Sequence, residues 1–191
     1  HRGLITAEAC PHHLFFHVGD YDRLGSLVQM NPSIKDAEDN RQIWQALLDG
    51  RIQVIATDHA PHTLASKQAG WKDAPAGMPG VETSLPVMLT HASEGRCSIV
   101  DVVRWMSTNP ARIYGIESKG ELKQGFDADL VLVDMENSSE VLDEHTWTKV
   151  RWNPFAGFNL LGWPRLTIVE GVPVFERDLS SGPKGRIIAS P

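Results

Sequence analysis

The alternation of apolar and polar residues changes period several times along the chain. Leu4 to Cys10 predicts a short strand stopped by Pro11, and Leu27 to Met30 predicts a second extended stretch before Asn31-Pro32. From Asp36 to Asp49, the spacing of Ile43, Trp44, Leu47 and Leu48 predicts a helix with one apolar face. Asp36, Glu38 and Asp39 suit its N-terminal end, and Gly50 suits the cap at the other end. Ile52 to Ala56 then predicts a strand. Strand, helix, strand is a βαβ pattern, which implies parallel strands within a larger sheet. Residues 63–80 are rich in Ala, Gly and Pro without a period, which predicts a loop covering a site. Val87 to Ala92 predicts a helix. Ser98 predicts a cap on another, with Ile99, Val102, Val103 and Met106 on one face. Pro110 after Asn109 predicts the first turn of a short helix ending at Tyr114.

The character changes near Gly115. Gly120, Gly125 and the run Leu130 to Val133 predict strands and turns, and Thr167 to Phe175 predicts a hairpin. The predicted organisation is therefore an α/β part over residues 1–115, a small β-rich domain over 116–178 and a loose tail over 179–191.

Composition narrows the function classes. The 191 residues are 41% hydrophobic and 22% charged, enough for one or two domains with a core. A net charge of -6 gives no basic footprint for nucleic acid. No apolar run approaches the roughly 18 residues of a membrane span. Cys10 and Cys97 lie far apart, which predicts free thiols of a cytoplasmic protein and leaves a single disulfide open. The chain begins His1-Arg2-Gly3 without Met or a signal peptide and enters a strand at once, as if taken up in the middle.

The chemistry concentrates where the Ile52–Ala56 strand ends, in Thr57-Asp58-His59-Ala60-Pro61-His62. Parallel α/β folds bind ligands beyond the carboxyl ends of their strands, and an Asp at that point can ligate a metal and move a proton. The alternative is an Asp capping a turn beside two solvent-facing His. His12 and His13 follow the first strand. On an extended chain adjacent side chains point apart, so at most one would face a site. Asn31 offers an amide to a ring edge, or merely a turn. Gly77-Met78-Pro79-Gly80 offers close backbone approach, or again only a turn. Trp147, Trp152 and Trp163 suit a stacking platform or ordinary packing.

Together, Met30-Asn31-Pro32, Thr57 to His62, Gly77 to Thr83, Asn109-Pro110-Ala111, Gly125 to Leu130 and Trp152-Asn153-Pro154-Phe155 resemble dihydroorotases, cyclic-amide hydrolases of the amidohydrolase superfamily. The likeness covers nearly the whole chain. It departs at Asn31-Pro32-Ser33-Ile34-Lys35, where the family has Asn-Pro-Pro-Leu-Arg. It implies the C-terminal part of a metal-dependent hydrolase (β/α)8 TIM barrel with a small β-rich composite domain, Asp58 closing the last barrel strand. By the same resemblance Asp58 binds zinc and transfers the proton, while Asn31, His62, Ala76 and Gly77 bind substrate. Most zinc ligands would lie upstream of residue 1, and His12 and His13 carry no metal role. The implied activity interconverts L-dihydroorotate and N-carbamoyl-L-aspartate in pyrimidine synthesis. The implied partners are the small-molecule substrate, further copies of the chain and aspartate transcarbamoylase. The alternatives are a non-catalytic subunit scaffolding that transcarbamoylase, or a related cyclic amidohydrolase such as an allantoinase or hydantoinase.

Overall fold

A computed structural model describes residues 5–177 and 185–188. The chain divides into two compact units, His1–Ser84 with Val141–Phe158, and Leu85–Glu140 with Asn159–Pro191.

The first unit is built on a βαβ element. Strand β1 (Glu8–Ala9) pairs in parallel with β2 (Val54–Ile55), Glu8 opposite Val54 and Ala9 opposite Ile55. The expected strands are present but shorter, and the Leu4 end of the first lies outside the described residues. Pro11 does not stop the chain. Its fixed φ and missing N–H suit the first turn of a helix, and it opens α1 (Pro11–Phe15). A short helix α2 (Tyr21–Leu24) and a 3-10 turn over Gly25–Val28 follow. Leu27 and Val28 are thus in a turn rather than extended, because Gly25 at φ 54 reverses the chain just before them.

The crossover helix α3 (Ala37–Leu48) starts where its acidic turn predicts, with the Asp36 side chain accepting from the backbone N–H groups of Glu38 and Asp39. It buries Trp44, Ala46 and Leu47. Leu48 is 50% exposed, so the apolar face is centred on Trp44 and Leu47 and does not reach the last turn. Residues 141–158 complete this unit's core through an aromatic cluster. Phe16 stacks on Phe155 with ring centroids 4.9 Å apart, and Phe15 meets Phe155 and Phe158 edge-on at 5.1 and 4.9 Å. Inside the loop 63–80, Thr63 caps a single helical turn, α4 (Leu64–Lys67).

The second unit begins with α5 (Ser84–Ser93), which buries Val87, Met88 and Leu89. Helix α6 (Ile99–Val103) has the expected Ser98 cap, reciprocated by Asp101. Only Val102 of its expected face is buried, while Ile99 and Val103 are about half exposed. A wide π turn over Arg104–Thr108 shifts the period and turns Trp105 inward instead. It runs directly into α7 (Asn109–Ile113), which holds Pro110 in its first turn and is capped at Tyr114, as expected. The sheet has order β3 (Leu130–Asp134), β6 (Trp163–Val169), β7 (Val172–Glu176), β8 (Arg186–Ile187), all antiparallel. The expected hairpin is β6–β7, turned by Glu170 (φ 50) and Gly171 (φ 81), a pair suited to the tight primed turns. Strands β4 (Ser139–Glu140) and β5 (Asn159–Leu160) make a separate two-stranded ladder. Among the described residues no helix is long and apolar enough to cross a membrane.

Candidate active site

The polar end of the second strand is held open by backbone conformation. Asp58 has φ 45, in the left-handed region that Asp tolerates better than most residues, and it is exposed just past the carboxyl end of β2. The next residues form a parallel bridge, His59 opposite Met78, and the Ala60 N–H donates to the Met78 carbonyl at 3.0 Å. His59 faces this bridge. Its Nδ1 accepts from the N–H groups of Gly80 (3.1 Å) and Val81 (3.2 Å). An imidazole nitrogen that accepts twice carries no proton, so His59 is a fixed anchor for the loop and cannot offer Nδ1 to a metal.

His62 lies on the other side of the same loop. Its Nε2–H donates to the Ala76 carbonyl at 3.1 Å, leaving Nδ1 for a ligand. Its own carbonyl accepts from the Trp152 indole N–H at 2.8 Å. Trp152 is 1% exposed, so it supports His62 from below and offers no face for stacking. Trp147 is 44% exposed, and in the second unit Trp163 lies under the Arg177 guanidinium at 4.5 Å.

Gly77 makes this closeness possible. A Cβ there would sit 2.6 Å from the Ala60 Cβ and 3.1 Å from His62 Nε2, and its φ of 131 excludes most other residues. The Gly77 N–H donates to the Gln29 carbonyl at 2.9 Å. The loop is thereby tied to the segment that leads into Asn31, which is exposed. Asn31, Asp58 and His62 share no direct hydrogen bond among the described residues. The segments that carry them are linked through Gln29, Ala76, Gly77 and Met78. The Gly77 N–H and the Ala76 carbonyl are both used internally, in hydrogen bonds to the Gln29 carbonyl and His62 Nε2.

Two residues that sequence reasoning passed over hold this loop. Lys67 is completely buried, and its Nζ donates to the carbonyls of Gln29 (3.0 Å) and Pro75 (2.8 Å). Burial pulls its pKa down to about 8. Gln29 Nε2 also donates to the Ala74 carbonyl at 3.1 Å. Glu82 accepts from the backbone N–H groups of Trp147 (2.8 Å) and Thr148 (2.7 Å), clamping residues 147–148 against the end of the loop. A lysine in a polar loop carries no signal that it will be buried. A Glu after Gly80-Val81 carries none that it will cap a distant segment.

Expected as neighbours on an extended strand, His12 and His13 instead occupy α1. Consecutive helical residues are about 100° apart rather than 180°, so both rings turn to the same side, with centroids 4.3 Å apart. His12 is 2% exposed, and burial, with His13 beside it, lowers its pKa to about 3. The His13 Nε2–H donates to the Pro32 carbonyl at 2.9 Å. Cys10 is a free thiol pushed up to about 12, chiefly by burial, then by the charges of Asp58 and Glu8. Cys97 is also free, as expected.

One exposed carboxylate with two anchored imidazoles fits one share of a zinc shell, since zinc needs about three protein ligands. Residues 28–174 match the model of the Amidohydrolase family, and the chain belongs to that family. It is 43% identical over 184 residues to a dihydroorotase of Halobacterium salinarum, covering 96% of this chain and 43% of that protein. It is 41% identical over 185 residues to a dihydroorotase of Pyrococcus horikoshii, covering 96% and 42%. Among solved structures, an L-hydantoinase (dihydropyrimidinase) from Arthrobacter aurescens superimposes with a TM-score of 0.85 at 34% identity, over 96% of this chain and 40% of that one. The chain thus spans about two fifths of the length of the relatives it matches.

Proposed function

We propose that this chain is the part of a dihydroorotase that carries the proton-transfer carboxylate and the substrate loop. The reaction is the reversible ring opening of L-dihydroorotate by water to N-carbamoyl-L-aspartate. The observation that carries the proposal is Asp58 at the carboxyl end of a parallel strand, beside a loop that fixes His62, in a chain 43% identical to a dihydroorotase. The family's zinc, when bound, activates water and polarises the amide oxygen, and Asp58 would contribute one ligand to it. Asp58 takes the proton of the attacking water and delivers it to the leaving ring nitrogen. His62 presents Nδ1 to the substrate, as an acceptor to a ring N–H when neutral and as a donor to a carboxylate when protonated. Asn31 binds the ring edge, and the Ala76 N–H and Gly77 carbonyl supply a second polar edge.

In this proposal residues 1–115 close a (β/α)8 barrel whose other strands come from sequence not present here, and 116–178 form the small β-rich domain. Self-association and assembly with aspartate transcarbamoylase belong to the same proposal, because a partial barrel leaves strand edges to be paired. The hydantoinase likeness supports a second substrate class, five-membered cyclic ureides.

The test is a chimera in which this chain replaces the matching 43% of the Halobacterium salinarum dihydroorotase. Turnover of dihydroorotate well above that of hydantoin supports the proposal. The reverse preference supports the second class, and a folded chimera inert on both refutes each.

A further inference from the structure

We propose that Cys10, His12 and His13 form a binding site for a thiophilic divalent cation such as zinc. One donor atom from each of the three lies within 4.8 Å of the others. One sulfur and two imidazoles is a donor set favoured by zinc and its soft neighbours over magnesium or calcium. The site stands at the carboxyl end of β1, next to the end of β2, where the Ala56 N–H donates to the Ala9 carbonyl at 3.0 Å.

Three further features point to a ligand. His12, almost fully buried, leaves Nε2 with no hydrogen-bond partner among the described residues. A buried polar nitrogen left so costs free energy, which a bound cation would recover. On His13, the Pro32 carbonyl can only accept. Nε2 therefore carries the proton, and Nδ1 keeps the lone pair that a metal needs. Metal-bound imidazoles are commonly oriented through such a carbonyl. Finally, the carboxylates of Glu8 and Asp58 both act on Cys10, and the negative potential they set up favours a cation there.

Binding replaces the S–H bond of Cys10 with a bond to the cation, and the proton leaves to solvent. With three protein ligands the cation keeps one position for water or a small anion. The site requires no assumption about the reaction catalysed.

The experiment titrates cobalt(II) into the 191-residue chain and into Cys10→Ser, Cys97→Ser and His13→Gln variants. The expected result is a thiolate-to-cobalt charge-transfer band that zinc displaces. Cys97→Ser keeps the band and Cys10→Ser loses it. His13→Gln weakens binding by about tenfold or more, since even disturbing the partner of a ligating His costs that much. A readout without mutation is the alkylation rate of each cysteine, mapped by mass spectrometry with and without zinc. Zinc should protect Cys10 and leave Cys97 unchanged. Absence of the band in the wild-type chain, its survival in Cys10→Ser, or equal alkylation of Cys10 with and without zinc overturns the proposal.

Discussion

Replacing Lys67 by Met tests how the loop over residues 63–80 is held. Met keeps most of the buried aliphatic stem, so little cavity opens, and only the ammonium group is lost. That group makes two hydrogen bonds, at 3.0 Å to the Gln29 carbonyl and 2.8 Å to the Pro75 carbonyl. Hydrogen bonds from a charged donor contribute about 1.5–3 kcal/mol each. The Gln29 carbonyl keeps the Gly77 N–H as a partner, so its loss falls at the low end. The Pro75 carbonyl loses its donor outright. Removing a desolvated cation offsets part of the sum, which leaves a net destabilisation of about 2–4 kcal/mol. Urea unfolding followed by far-UV circular dichroism measures the total. Hydrogen exchange at the Gly77 amide measures the local part, because that amide donates to the same carbonyl as Lys67. A variant within about 0.5 kcal/mol of wild type, with Gly77 protection unchanged, would refute the reasoning.

Other outcomes follow from the same geometry. Burial holds the Lys67 pKa at about 8, against 10.5 for an ordinary lysine. Between these values the unfolded chain binds more protons than the folded one, so this residue makes stability rise with pH across that window and contributes no slope below it. The stability advantage of wild type over Lys67→Met should therefore grow from pH 7.5 to about 9.5, and a constant difference in paired urea titrations contradicts the assignment. In the chimera, His62→Ala should raise KM with a smaller effect on kcat, because in the proposed function His62 Nδ1 binds substrate and takes no part in the proton transfer. A loss confined to kcat would reassign it. The 191-residue chain alone should not turn over dihydroorotate in a coupled assay with added zinc, since in the proposed function Asp58 is its one ligand to the catalytic zinc, which needs about three. Turnover near that of the chimera would show that the ligand count is wrong.

Where local chemistry and packing demand the same thing, the sequence is a good guide. The Asp36 cap, the Trp44–Leu47 stripe and the two short strands around them satisfy both, and the parallel pair β1–β2 is where the pattern puts it. The Ser98 cap and the Glu170-Gly171 turn are legible for the same reason. Pro11 misleads because proline ends a strand and opens a helix equally well. Only the packed structure shows that it does the second, and with it turns His12 and His13 to one side. The π turn at Arg104–Thr108 is invisible because one extra residue per turn leaves no mark on composition. Asp58, His62 and Gly77 stand out because Asp and His are unusual directly after an apolar strand and Gly permits close backbone approach. Lys67 and Glu82 do not, because their role depends on carbonyls and amides that come from other parts of the chain.

Asp58 is the group proposed to move the proton, and the most direct measurement is kcat for dihydroorotate ring opening by the chimera with Asp58→Asn. Asparagine preserves the size of the side chain and its left-handed backbone preference, and it removes the base. General acid–base catalysis contributes about 10²–10⁴-fold, so kcat should fall by that factor while circular dichroism and thermal unfolding stay as they were. A kcat within about threefold of the unmodified chimera, at the same metal content, would show that another group carries the proton and would contradict the account.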